Sequence, residues 1–172
     1  MGTDLLLKHC KIVDAQSSFH DTFQDILIRE GTIHSIGSQL ETTDAQVVSH
    51  KGMEVYPGWL DFGVHTNDPG FEHREDMASV AAAAAAGGFT GIVSFPNTQP
   101  VVQSKTDIKY AQRYTDLQVV DFYPAGALTH NCQGVEITEM LDMHHAGAVL
   151  FTDGLHSVMH AGVFLRALQY VK

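Results

Sequence analysis

From Trp59 to the end of the chain, short apolar runs alternate four times with helical windows, and no other feature limits the fold as tightly. Residues 59–65 precede a helical window over 74–86, and residues 91–96 precede one over 105–114. Residues 119–125 are followed by 135–146, and 148–151 by 158–171. A strand that is followed by a helix before the next strand predicts parallel pairing through right-handed crossovers, with the helices outside the sheet. The run Ala81 to Ala86 is strongly helix-forming, and its small side chains let a helix approach a sheet closely. Gly87-Gly88 then ends it.

Residues 4–55 have a different texture. Short β-strands are expected at 5–13, 25–29, 32–36 and 53–55, with Glu30-Gly31 as a hairpin turn. The chain thus divides into a small β module, residues 1–55, and an α/β region, residues 56–172. Four β/α units are half of the eight that close a (β/α)₈ barrel, which typically takes about 250 residues. An unclosed half exposes two strand edges, and the last helical window runs to the final Lys172 without a Gly or Pro stop. The expectation is the N-terminal portion of a longer protein.

Composition excludes several classes of function. A formal charge of −10 argues against a nucleic-acid surface, which needs a clustered positive field. Cys10 and Cys132 stand alone and far apart, which suggests neither a disulfide scaffold nor a zinc ribbon and is compatible with a reduced, cytoplasmic setting. No segment approaches the roughly 20 apolar residues of a membrane-spanning helix. Small molecules or other proteins are the expected partners.

The chemistry is concentrated around Tyr56 to Gly70, Y-P-G-W-L-D-F-G-V-H-T-N-D-P-G. Strand side chains repeat every two residues, so Asp61, Gly63 and His65 are expected on one face, at the strand end where α/β enzymes place their reactive groups. Further on, Asn97 follows Pro96 after the second strand, and Asp153 precedes Gly154 after the fourth. His156 and His160 stand four residues apart, without the Glu of a zinc-protease helix. Glu75 and Asp76 suit a helix first turn, and His144-His145 a helix end.

The blocks P-G-W-L-D-F-G-V-H-T-N-D-P-G-F-E-H-R-E-D, A-A-G-G-F-T-G-I-V-S-F-P-N-T-Q-P, Y-P-A-G-A-L-T and A-G-A-V-L-F-T-D-G follow one another in the order and at the spacing of a bacterial type I dihydroorotase. The resemblance covers nearly the whole chain. It implies an amidohydrolase-type (β/α)₈ barrel, of which this chain supplies the first half, preceded by part of a β-sandwich module. It also implies zinc and the reversible closure of N-carbamoyl-aspartate to dihydroorotate, a step of pyrimidine biosynthesis.

The family carries Asp-x-His-x-His on the first barrel strand. This chain has Asp61, Gly63 and His65, so one imidazole is missing and His65 is either a metal ligand or a hydrogen-bonded strand-end histidine. Asn67 stands where the family places a carboxylate-binding Arg, and lacks both its charge and its planar fork. Asn97 matches a substrate-contacting Asn; the alternative is an Asx-turn. Asp153 stands for one of two family aspartates, one a metal-site residue, or is a turn former. The family's remaining ligands and its catalytic Asp come from later strands, so no general base is named among these residues.

Two readings follow. One is a dihydroorotase-like homo-oligomer with impaired metal binding, whose fold persists as a pseudoenzyme companion of an aspartate transcarbamoylase. The other is an active hydrolase of another cyclic amide, hydantoin or allantoin in type, with a rearranged metal site.

Overall fold

A computed structural model describes residues 4–113 and 119–172, and the chain divides into two compact units, Met1–Pro57 and Gly58–Lys172. No helix among the described residues is long and apolar enough to cross a membrane.

The first unit is a sheet of β1 (Leu5–Ile12), β2 (Phe23–Arg29), β3 (Thr32–Gly37), β4 (Gln46–Val48) and β5 (Glu54–Val55). Its order is β3-β2-β1-β4, with β5 also beside β1. β2 and β3 form the expected antiparallel hairpin, and Glu30 and Gly31 both take positive φ, 49° and 76°. Those angles give the turn a twist that matches its strands. β4, which local pattern did not disclose, pairs in parallel with β1 through only three residues. Cys10, Ile12 and Ile26 form the core, packed by Leu7, Phe19 and Met53. At His9 a bulge interrupts β1, and its amide donates to the buried Asp25 carboxylate at 2.8 Å.

In the second unit β6 (Trp59–Val64), β7 (Phe89–Ser94), β8 (Asp121–Gly126) and β9 (Leu150–Phe151) lie in that order, every pairing parallel. They alternate with α1 (Met77–Ala86), α2 (Lys105–Gln112), α3 (Met140–His145) and α4 (Ala161–Tyr170). Met77, Val80 and Ala81 of α1 meet Ile92 and Phe122 of the sheet in one core cluster. Met140 and Met143 of α3 meet Ile108, Leu128 and Ala167 in another. The fourfold strand and helix succession and its parallel pairing are as expected, and they make four consecutive β/α units, half the number that closes a (β/α)₈ barrel.

Helix boundaries differ where side chains compete for the backbone. α1 starts at Met77 rather than Arg74, because Asp76 caps it by accepting from the Ser79 amide at 2.8 Å while Ser79 accepts from the Asp76 amide. α3 starts at Met140 rather than Val135. The Thr138 amide donates instead to the Leu128 carbonyl at 3.0 Å, and the His130 amide to Glu136 at 2.8 Å, which folds 128–138 into a loop. α4 starts at Ala161 rather than Val158, and the expected end of α2 at Tyr114 lies outside the described residues.

Candidate functional site

The C-terminal ends of β6, β7 and β9 carry the loops that hold His65, Asn67, Asn97 and Asp153, because parallel strands bring those ends to one side. The β6 end departs from simple alternation. Pairing with β7 shifts register between Phe62 and Val64, and Gly63 adopts φ +99°. This bulge changes which side chains face together.

Asp61 is accordingly not on the face shared by Gly63 and His65, contrary to the two-residue period. It lines a cavity of about 220 Å³ with Val64, Val80, Ala83 and Ala84, on the α1 side of the sheet. Leu60 and Phe62 take the opposite face, where with Val93 and Tyr123 they line a concavity of about 400 Å³. Gly63 and His65 both confront Phe95: the His65 ring lies edge-on to it at 5.1 Å between centroids. A β-carbon on Gly63 would meet the Phe95 Cζ at 2.8 Å, inside any real contact. A side chain at position 63 would therefore require the Phe95 ring to shift, and φ +99° strains any residue other than glycine there.

Asn67 lies in a tight turn after β6, with φ +58° and its carbonyl accepting from the Phe71 amide at 2.7 Å. The neighbouring Asp68 is buried and accepts from the Tyr110 hydroxyl at 2.8 Å. Asn97 spans to the β9 loop: its amide donates to the Asp153 carbonyl at 3.1 Å, and its oxygen accepts from the Leu155 amide at 3.3 Å. Asp153 is 3 % exposed, its Oδ1 accepting from the Thr129 amide at 2.8 Å and its Oδ2 from the Thr129 hydroxyl. Burial, reinforced by the Asp153 charge, pushes the Cys132 thiol up to about 11.

The structure therefore joins Asn97 to Asp153 and sets His65 and Gly63 against Phe95. His156 lies in a bend and His160 just precedes α4, so the two do not share a helix face. His144 and His145 close α3, as expected. Phe95, Thr129 and Tyr110 were not anticipated. An apolar or hydroxyl side chain carries no local sign of the partner it meets decades of residues away.

Zinc asks for three or four nitrogen, sulfur or carboxylate donors converging at about 2 Å. No group of three or more His, Cys, Asp or Glu able to hold a metal exists among the described residues. Gly63 has no donor, and His65 and Asp153 are too few by themselves for the three or four donors that zinc needs. These residues do not fit a zinc site made from this chain.

The Dihydro-orotase-like family model matches residues 52–171. A dihydroorotase of Syntrophotalea carbinolica is 37% identical over 169 residues, covering 98% of this chain and 40% of its own length. One from Pelotomaculum thermopropionicum is 40% identical over 166 residues, covering 96% of this chain and 39% of its own length. The chain thus spans about two fifths of these relatives. Among solved structures, the L-hydantoinase (dihydropyrimidinase) of Arthrobacter aurescens superposes with a TM-score of 0.76 at 25% identity, covering 98% of this chain and 38% of that one. A dihydroorotase structure gives a TM-score of 0.64 at 17% identity over 87% of this chain and 42% of that one, a likeness of fold. With the family model spanning most of the α/β region and the curated relatives agreeing over nearly the whole length, the chain belongs to the dihydro-orotase-like family.

Proposed function

We propose that this chain is the N-terminal part of a dihydroorotase-type cyclic amidohydrolase whose metal-dependent catalysis is impaired, and whose retained fold serves assembly. The observation that carries the reading is the Gly63–Phe95 pair: the position of the first family histidine has no donor, adopts φ +99°, and admits a side chain only if the Phe95 ring shifts. Asn67 adds to it, since a neutral amide in a turn does not replace an Arg that grips a substrate carboxylate. The strand and helix pattern that the resemblance implies is present, His65 and Asn97 match its site, and Gly63 and Asn67 depart from it. Selection on a structural role permits that pattern, and an aspartate transcarbamoylase is the companion that the family resemblance implies.

The full-length protein tests this. Purified without added metal, it is expected to retain far less than one zinc per chain after dialysis against a mild chelator. It is also expected to form little dihydroorotate from N-carbamoyl-aspartate, and to co-elute with the aspartate transcarbamoylase of its own cell. Stoichiometric zinc with sustained turnover would overturn the reading.

A second reading has its own support in the likeness to the L-hydantoinase over 98% of this chain. In it the protein hydrolyses another cyclic amide, such as a hydantoin or allantoin, through a rearranged metal site. Turnover of a hydantoin by metal-supplemented protein, with none of dihydroorotate, would favour it.

A further inference from the structure

Asp153 is a buried carboxylate with no ion pair to a cationic side chain among the described residues, and its compensation is built from neighbouring backbone and hydroxyl groups. Its Oδ1 accepts from the Thr129 amide at 2.8 Å, its Oδ2 accepts from the Thr129 hydroxyl, and the hydroxyl oxygen in turn accepts from the Gly134 amide at 2.7 Å. Thr129 is fully buried. Around the same turn, the Asn97 amide donates to the Asp153 carbonyl and its oxygen accepts from the Leu155 amide. Gly154, at φ +57°, is what admits Asn97: a β-carbon there would lie 1.8 Å from the Asn97 Oδ1. Three loops, following β7, β8 and β9, are thus tied together by these side chains, in addition to backbone bonds such as Leu128 N–H to the Thr152 carbonyl and Ala127 N–H to the Val102 carbonyl.

We infer that Asp153, Thr129 and Asn97 form a metal-independent clamp that fastens the C-terminal ends of β7, β8 and β9, with Asp153 acting as a structural anchor and not as a metal ligand. A carboxylate removed from water must be satisfied by hydrogen bonds or by charge. Here Thr129 supplies two donors from one residue, and that pairing sets the direction of both oxygens.

The test is the thermal midpoint of the full-length protein, read in plain buffer, with excess EDTA and with excess ZnCl₂, alongside bound zinc by elemental analysis. Thr129→Val and Asp153→Asn are each expected to lower the midpoint by about 5 °C, with the double variant little worse than either, because both remove one shared interaction. Thr129→Ser, which keeps the hydroxyl, is expected to stay near wild type. Any shift with EDTA or ZnCl₂ should be the same in wild type and in Asp153→Asn to within about 1 °C, since only a residue that holds the ion changes the stabilisation it gives. Zinc that raises the wild-type midpoint, with the effect lost in Asp153→Asn and kept in Thr129→Val, would make Asp153 a ligand and overturn the inference. So would variants that melt like wild type. If Asp153→Asn does not fold, the comparison of Thr129→Ser with Thr129→Val decides. Catalytic turnover with an undisturbed clamp would sink the functional proposal and leave this inference standing.

Discussion

The Tyr110 hydroxyl donates a hydrogen bond of 2.8 Å to the carboxylate of Asp68, 42 positions earlier, and so ties α2 to the loop that leaves β6. Asp68 is buried, and the guanidinium of Arg113 lies 3.8 Å from the Tyr110 ring centre. The turn that contains Asn67 is therefore held from a helix, one strand further along the sheet. Order in the loops at this end of the sheet is a property of side-chain fastenings between β/α units.

Tyr110→Phe keeps the ring and removes the donor. It should destabilise the protein by about 1–2 kcal/mol, the cost of leaving a buried carboxylate short of a partner, seen as a lower urea midpoint with an unchanged slope. An unaltered midpoint would show that the remaining contacts of Asp68 suffice.

Gly63→His introduces a side chain into the space of Phe95 and a β-carbon at φ +99°. The single variant should lose about 2 kcal/mol from strain and overlap, and should bind no more zinc than wild type. Phe95→Ala in the same chain should recover part of that loss. The two changes would then be coupled by about 1 kcal/mol in a double-mutant cycle of urea unfolding. Strict additivity would mean that the ring is not the obstacle.

Asp25 links the first unit to pH. Burial raises its carboxyl, but Lys8 at 2.8 Å and the amides of His9 and Leu40 together outweigh burial and hold it below the ordinary range. A carboxyl lowered in the folded state stabilises fully above its unfolded value, near 3.9, and the contribution fades as pH falls through the folded value. Urea unfolding at pH 7, 4 and 3 should therefore show stability declining below about pH 4. Asp25→Asn should be less stable at pH 7 and show a shallower acid decline; an identical acid profile would assign the loss to other carboxylates.

The 172-residue chain on its own should self-associate. Trp59, Leu60, Phe62, Tyr123 and Val149 are exposed, and β6 and β9 each lack a second neighbour among the described residues. Exposed apolar surface and open strand edges both favour association. Sedimentation at micromolar concentration should show dimers or larger species, and Phe62→Glu should shift them toward monomer. A wild-type chain that sediments as a clean monomer would show that these units cover themselves.

The alternation of strand and helix could be read from the chain because it rests on local periodicity and caps: the parallel order β6-β7-β8-β9, the Glu30-Gly31 turn and the end of α1 at Gly87-Gly88 all follow from near neighbours. The missing donor at Gly63 was equally plain, since glycine has no side chain wherever it lies. The three-residue β4 was not legible, because its stability comes from β1, about forty residues away, and the periodic stretch before Met140 was drawn into a loop by bonds to Leu128 and His130. Only the tertiary structure turned Asp61 toward α1, set Phe95 over Gly63 and bound Asp153 to Thr129. A register shift and contacts between residues 24 or more positions apart depend on how strands and loops pack against each other, and sequence neighbours carry no trace of that packing.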